Sequence, residues 1–184
     1  MGAPLPKLQC SLQIKYKEPL KQNYTLVVYL WTYKNTVDHS ILLAKLEHYG
    51  IRGITNEWFR SYLSNRQQFV SINNSDSSTL HITCGVPQGS VLGPLLFLIY
   101  IDDFINSSSI FDFHLFADDS NLSYSNKDLQ HFGETINQEL GEINTWLCAN
   151  KLSLNLDKTH FVVFHPYKKK LNYRSYLPIS RPWL

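Results

Sequence analysis

Two adjacent carboxylates stand where the chain is expected to turn back on itself. Asp118 and Asp119 close the run 113–117 and are followed by the polar segment 120–124, a pattern typical of the tip of a β-hairpin. Neighbouring aspartates repel unless they are protonated or bridged by a cation, and hard oxygen ligands suit Mg²⁺, which is usually completed by waters and substrate phosphates. The pair therefore indicates metal-assisted phosphoryl chemistry, although Asp also favours turns for purely local hydrogen-bonding reasons.

A glycine- and proline-rich loop lies upstream of the carboxylates, at 85–94, and leads into an apolar run of helical length. Gln88 stands between two glycines, Gly85 and Gly89, whose missing Cβ atoms allow close approach of another backbone. Free amides at the start of a helix favour anions, so the loop is a candidate surface beneath a nucleotide or a template backbone. An ordinary loop and helix start would explain the same string.

The elements that must position these residues alternate between helical and β-prone patterns. Helices are predicted at 39–49, from a cap at Thr55, at 92–104 and at about 127–149, and strands at 26–31, 68–72, 78–83 and 161–164. The helix at 127–149 carries an apolar stripe at helical spacing, which predicts core packing: Leu129, Phe132, Ile136, Leu140, Ile143 and Leu147. Helices combined with antiparallel strands predict an α+β fold.

Three blocks of the sequence, in this order and spacing, resemble the reverse transcriptase domain of non-LTR, LINE-type retrotransposons. The blocks are 85–103, 116–119 and 150–159, and the resemblance runs from about Thr36 to about Tyr173. It implies a polymerase palm-like antiparallel sheet backed by helices, with incomplete fingers and no thumb. The expected organisation is an unmatched N-terminal segment at 1–34, a reverse transcriptase-like palm with partial fingers at 35–173, and a C-terminal tail at 174–184.

The resemblance also implies roles for individual residues. Asp118 and Asp119 correspond to the paired metal-binding aspartates of the family, and Gln88 and Gly89 fall on its nucleotide- and template-contacting loop. Lys158 corresponds to a lysine near the incoming triphosphate that can protonate the pyrophosphate leaving group; from spacing alone it is equally a solvated lysine in a turn. The implied cofactor is Mg²⁺ in a two-metal site. The implied partners are an RNA template, a DNA primer and deoxynucleotide triphosphates.

One departure from the family pattern bears on activity. The family carries a further metal-binding aspartate on an earlier strand, and counting back ten residues from His39 places Tyr29 at that position. Two-metal phosphoryl transfer needs carboxylates from both sides, and a phenol cannot bridge the two cations. Asp38 is expected instead to cap the helix that begins near His39. The sequence thus predicts a reverse transcriptase fragment that is impaired or inactive. The alternatives are a non-catalytic palm remnant, acting as a nucleic-acid or protein interaction module, and a chain that does not fold stably.

Composition sets further limits. At 184 residues and 43% hydrophobic, the chain can bury one sizeable core, but a polymerase with fingers, palm and thumb needs more. Cys10, Cys84 and Cys148 are dispersed and indicate neither a disulfide framework nor a zinc site. Without a signal peptide or an apolar run of about eighteen residues, the protein is expected to be intracellular, in the nucleus or cytoplasm, and away from membranes. A net charge of +2 is weak for nucleic-acid binding, and the basic, aromatic cluster at 167–174 is either a backbone-tracking surface or a solvated terminus.

Overall fold

The computed structural model of the protein describes residues 24–34, 37–87, 89–127 and 131–165. The strands in these ranges are β1 (Thr25–Lys34), β2 (Gln67–Gln68), β3 (Ser71–Ile72), β4 (Ser75–Asp76), β5 (Leu80–His81), β6 (Asp112–Phe116), β7 (Asp119–Asn126), β8 (Ser153–Leu154) and β9 (His160–Phe164). The helices are α1 (His39–His48), α2 (Ile54–Leu63), α3 (Leu92–Ile101) and α4 (Phe132–Ala149), with 3₁₀ turns at Asp102–Ser107 and Leu156–Lys158. The mixture of helices and antiparallel strands confirms the predicted α+β class.

The main sheet is built around β1. This strand pairs antiparallel with β7 on one side and with β9 and β8 on the other, while β6 pairs with the far side of β7. Its sequence, rich in β-branched and aromatic residues, suits a strand buried between neighbours. The predicted boundary at residue 34 stays a prediction, but the last ten residues of that segment, Thr25–Lys34, form the central strand of the sheet.

Alternate residues of β1 face the helices. Val27, Tyr29, Trp31 and Tyr33 belong to the core cluster, as do the buried residues of α3 and the predicted stripe of α4. At about 1.5–3 kcal/mol for each fully buried large side chain, this layer supplies most of the driving force for folding. The described members of the α4 stripe are buried as predicted: Phe132, Ile136, Leu140, Ile143 and Leu147. Leu129 lies outside the described residues.

The helix boundaries differ from the sequence predictions in physically instructive ways. Asp38 caps α1 by accepting hydrogen bonds from the backbone N–H groups of Ser40 and Ile41, as predicted. The predicted cap at Thr55 is wrong, because α2 begins one residue earlier and Gly53, with φ 59°, is its N-cap residue. A capping residue must have non-helical backbone angles, whereas Thr55 already lies in the first turn.

Three further elements have different bounds from those predicted. The predicted helix at 92–104 is α3 followed by a 3₁₀ turn from Asp102, and α4 begins at Phe132 rather than near 127. The hairpin at 67–81 turns at Asn73 and Asn74, with φ of 50° and 60°, so its loop is shorter than the predicted 73–77. Positive φ at both turn residues is the geometry that two-residue hairpins favour. Across the described ranges, every helix is too short or too polar to cross a bilayer.

Candidate active site

The two candidate carboxylates lie at the tip of a β-hairpin, as predicted. Phe116 pairs with Asp119, so the loop between β6 and β7 consists of Ala117 and Asp118 alone. Ala117 has φ 52°, a left-handed conformation that is uncommon for a residue with a Cβ atom. Both aspartate side chains are exposed, and neither forms an ion pair or hydrogen bond with another described residue. The tip therefore presents two hard oxygen ligands to solvent.

The strand beside this hairpin offers a threonine. In the antiparallel register, Thr32 of β1 pairs with Asp119, and the next pair is Trp31 with Ser120. Directly paired residues share one face of a sheet. Trp31 faces the helices, so Thr32 and Asp119 lie together on the opposite face. Between Thr25 and Lys34 there is no Asp or Glu at all.

Tyr29 is the residue that the count from His39 assigns to the family aspartate position. It lies on the opposite face of β1 from Thr32. It pairs with Leu122 of β7 and Phe161 of β9 and is 8% exposed on the helix-facing side. Its ring contacts those of Trp31, Phe111 and Phe161, with centroids 5.9–6.2 Å apart. Burial raises the pKa of the Tyr29 hydroxyl above its ordinary value. Along the strand it is three residues, roughly 10 Å, from the pair that joins Thr32 to Asp119.

Lys158 lies at the same end of β1, on the other side. The backbone N–H of Asn155 donates to the Thr32 carbonyl at 2.9 Å, and the N–H of Lys158 donates to the Asn155 carbonyl at 3.0 Å. The Lys158 turn and the carboxylate hairpin therefore flank the same β1 residue, separated by two strand spacings of about 5 Å each. The Lys158 side chain is exposed. The topology thus brings together two of the regions that sequence reasoning assigned to the site.

The glycine loop is held in a tight conformation at the start of α3. Gly89 has φ 79°, which favours glycine, while Gln88 lies outside the described residues. Ser90 Oγ accepts from the Gly93 N–H at 3.0 Å and donates to the Pro87 carbonyl at 2.7 Å. Because the Gly93 amide is taken and Pro94 has no N–H, this helix start offers fewer free amides to an anion than the sequence suggested.

Residues 37–39, the 85–103 block with its glycine loop and the 150–159 block meet at a cluster that we call the three-block junction after these three segments: Val37, Asp38, His39, Gly85, Tyr100, Asn150 and Lys151. The Gly85 N–H donates to the Val37 carbonyl at 2.7 Å, and His39 Nε2 lies 2.8 Å from the Gly85 carbonyl oxygen. The Tyr100 hydroxyl donates to the Asn150 carbonyl at 2.5 Å. These bonds fix the glycine loop and the turn after α4 to the start of α1.

An ion pair completes the three-block junction. Lys151 Nζ lies 2.6 Å from Asp38 Oδ2, on the same carboxylate that caps α1. The hydrogen bond from Lys151, followed by that from Ser40, holds the pKa of Asp38 well below its ordinary value. Sequence reasoning placed Asp38 correctly as a cap but did not find its partner, because nothing local links residues so far apart in the chain.

Known proteins share sequence similarity with much of this chain. The family model described as "Reverse transcriptase (RNA-dependent DNA polymerase)" matches residues 31–177. The chain belongs to the reverse transcriptase family. The chain is 31% identical to the probable RNA-directed DNA polymerase from transposon BS of Drosophila melanogaster over 54% of its length. It is 29% identical to the probable RNA-directed DNA polymerase from transposon X-element of the same organism over 57% of its length. It is 27% identical to the RNA-directed DNA polymerase from mobile element jockey, again over 57%.

These relatives confirm the resemblance to the reverse transcriptase domain of LINE-type elements. The aligned part amounts to 12% of the length of each relative. The chain thus corresponds to a small part of much larger proteins, whose complete activity can only be proposed for it.

The residues that the structure describes fit only one side of a two-metal site. Reverse transcriptases generally use divalent metal ions, and the carboxylates of Asp118 and Asp119 suit such ions. Within the described ranges, no group of three or more Asp, Glu, His or Cys side chains could hold a metal. A pair of bridged cations needs carboxylates from more than one element, and here β1 presents Thr32 instead.

Proposed function

We propose that the chain is a partial palm of an RNA-directed DNA polymerase in which nucleotide transfer is impaired. The observation that carries the proposal is the register of the central strand, which sets Thr32 opposite Asp119 and offers no carboxylate anywhere in β1. Loss of one ligand that acts as part of a unit commonly costs several orders of magnitude in rate. The impairment therefore follows from the whole strand and does not depend on which residue is aligned with the family aspartate.

The partners proposed for this site follow from the names of the relatives, which are RNA-directed DNA polymerases. They are an RNA template, a DNA primer and deoxynucleotide triphosphates, with Gln88 and Gly89 on the nucleotide- and template-contacting loop and Lys158 near the triphosphate. The division into an N-terminal segment, a palm with partial fingers at 35–173 and a tail is part of the same proposal.

A primer-extension assay tests the impairment. The chain is incubated with a primed RNA template, deoxynucleotides and either Mg²⁺ or Mn²⁺, beside the Asp118→Asn variant. We expect no extension above the level of that variant, because the metal pair lacks ligands from β1. Cooperative thermal unfolding of both proteins, monitored by circular dichroism, establishes that they are folded. Extension that Asp118→Asn abolishes would overturn the proposal.

Metal binding gives a second test that does not require a complete polymerase. Thr32→Asp places a third carboxylate on the face that carries Asp119, so Mn²⁺ binding followed by electron paramagnetic resonance should tighten on the order of tenfold. Thr32→Asn is the matched control, since it has nearly the same shape and no charge. Equal Mn²⁺ affinity in the two variants would show that β1 does not face the carboxylate hairpin as described.

The alternative function is a non-catalytic palm remnant that binds nucleic acid or protein. The bonds of the three-block junction favour it, because they keep the scaffold in place without any contribution from Asp118 or Asp119. Retained RNA binding in a chain that shows no extension would support this alternative over the polymerase.

A further inference from the structure

Three side chains with flat aromatic or guanidinium groups follow one side of α2 and continue past its end. Trp58, Tyr62 and Arg66 recur at every fourth residue, and the rings of Trp58 and Tyr62 are stacked with centroids 5.5 Å apart and planes 9° apart. The Arg66 guanidinium lies 5.6 Å from the centroid of the Tyr62 ring. We call these three residues the aromatic ladder.

Trp58 is not part of the core packing, whereas the half-buried Tyr62 packs against the core cluster. The buried side of α2 is formed by Leu63, 1% exposed, and Asn56, whereas Trp58 is 52% exposed. Phe59 contacts the indole edge-on, with centroids 5.0 Å apart. The spacing of Trp58, Phe59, Tyr62 and Leu63 would suit one apolar face of a helix, but the structure places only Leu63 fully inside. Trp58 is therefore held by its neighbours yet open to a ligand.

A cleft of ≈ 520 Å³ continues the surface beyond Arg66. Arg66 lines it together with His39, Gln67 and Gln68, and so do Gly85, Val86 and Pro87 of the glycine loop. None of the described residues that line the cleft is an Asp or Glu. A guanidinium and two side-chain amides suit phosphate oxygens and base edges, whereas a cationic ligand would find no counter-charge among them.

We propose that the aromatic ladder and this cleft bind single-stranded RNA, with a base stacked on Trp58 and the backbone passing Arg66 towards the glycine loop. The inference rests on the proposed function, for which it names a template-binding surface. Aromatic side chains combined with a positively charged groove are the recurring way in which proteins hold unpaired nucleic acid. Duplex RNA would not serve, because its bases are already stacked on one another.

Fluorescence anisotropy of the full chain with a fluorescein-labelled single-stranded RNA of about 20 nucleotides tests the stacking contact. Trp58→Ala should weaken binding about 5- to 150-fold, which is the range for loss of one base–aromatic stack. Trp58→Phe should retain most of the affinity. Ile54→Ala is the matched control, because Ile54 is 90% exposed one turn away on the same helix and cannot stack. An Ile54→Ala loss equal to that of Trp58→Ala would indicate apolar docking and overturn the proposal.

The salt dependence of binding tests the contribution of Arg66. Arg66→Ala should make the negative slope of log affinity against log salt shallower by about 0.7, the value for one phosphate contact on a single strand. Arg66→Lys should preserve the slope. An unchanged slope in Arg66→Ala would contradict the assignment. So would tighter binding of duplex RNA, or of single-stranded DNA of the same sequence, when both are compared with the RNA probe.

These outcomes separate the inference from the proposed function. RNA binding that depends on Trp58, together with primer extension that Asp118→Asn abolishes, would support the ladder and overturn the proposed impairment. RNA binding that ignores Trp58 would overturn the ladder and leave the polymerase proposal standing. Failure of the unmodified chain to bind the probe would overturn the ladder. Circular dichroism of each variant confirms that a loss of binding is not a loss of fold.

Discussion

The carboxylate hairpin and the three-block junction are both made of residues that match the reverse transcriptase pattern, but they differ in how they are bonded. In the junction, Asp38 has a lysine partner and two backbone partners, and Gly85 is held through both its N–H and its carbonyl. At the hairpin tip, the side chains of Asp118 and Asp119 are exposed, and neither forms a hydrogen bond or ion pair with a described residue.

This difference separates residues that hold the fold from residues for which we propose a role in chemistry. Two adjacent negative charges without a partner repel each other and contribute nothing favourable to folding. A carboxylate facing them from β1 would add to that repulsion unless a cation were bound. A β1 strand without a carboxylate is therefore compatible with an intact fold, and under the proposed function the rest of the motif pattern surrounds an incomplete site.

The largest expected effect distinguishes the two faces of β1. Tyr29→Asp would bury an unpaired carboxylate among aromatic rings and should lower the free energy of unfolding by roughly 4 kcal/mol or more, enough to prevent folding. Thr32→Asp, on the other face, should cost about 1 kcal/mol through repulsion by Asp119. Urea unfolding followed by circular dichroism measures both. Similar losses in the two variants would mean that the described register is wrong.

The next largest effect is expected at Phe104, an aromatic residue of the core. Phe104 is fully buried, and its ring contacts those of Trp31, Phe113 and Trp146. Phe104→Ala should cost about 3–5 kcal/mol in urea unfolding because it leaves a cavity at the centre of this cluster. Ile105→Ala, at the neighbouring and 51% exposed position, should cost less than about 0.5 kcal/mol. A small loss for Phe104→Ala would show that the cluster is loosely packed.

The three-block junction should respond to loss of its carboxylate. Asp38→Ala removes the cap of α1 together with the ion pair and should lower stability by about 1–2 kcal/mol. Asp38→Asn keeps a good capping side chain, so its cost should be below about 1 kcal/mol, since Lys151 is 62% exposed and its ion pair is screened by solvent. Equal losses in the two variants would assign the whole effect to the charge.

The same carboxylate makes stability depend on pH. The folded-state pKa of Asp38 is lowered by Lys151 and Ser40, so its stabilisation is fully present above the unfolded pKa of about 4. It is lost as the pH falls below that value towards the folded pKa. As the pH is lowered from about 6 to 2, the melting temperature should therefore fall more steeply in the unmodified chain than in Asp38→Asn. Parallel curves would contradict the assigned partner.

The smallest effect is expected at the carboxylate hairpin. Asp118→Asn should change stability by less than about 0.5 kcal/mol, and in the stabilising direction, because it removes the repulsion from Asp119. The comparison with Asp38→Ala in the same urea series is direct. A loss above about 1 kcal/mol in Asp118→Asn would show that the hairpin tip has a structural partner.

Local chemistry made some features readable from the sequence. The Asp118–Asp119 tip follows from turn preference after a β-prone run, the α4 stripe from its helical spacing, and the cap at Asp38 from its place before the first apolar turn. The error at Thr55 has a physical reason, since Gly53 reverses the chain with a positive φ and starts α2 without a capping side chain.

Other features depend on pairing between distant segments. Thr32 beside Asp119 is set by the register of β1 on β7, which no local pattern specifies, and counting along the family motif led to Tyr29 instead. The exposure of Trp58 could not be foreseen either, because its spacing on α2 is the same as that of a buried residue. The ion pair of Asp38 with Lys151 belongs to the same class of long-range contact.

The central position of β1 also affects how the protein is made. This strand leaves the ribosome before its partners, which include Leu122 on one side and Phe161 on the other. Until those residues are synthesised, an apolar strand with two unpaired edges stays available to other chains, a recognised route to aggregation. Folding dominated by such distant pairing is slow. Recovery of folded protein on expression should consequently improve at low temperature or with a chaperone that shields extended apolar segments.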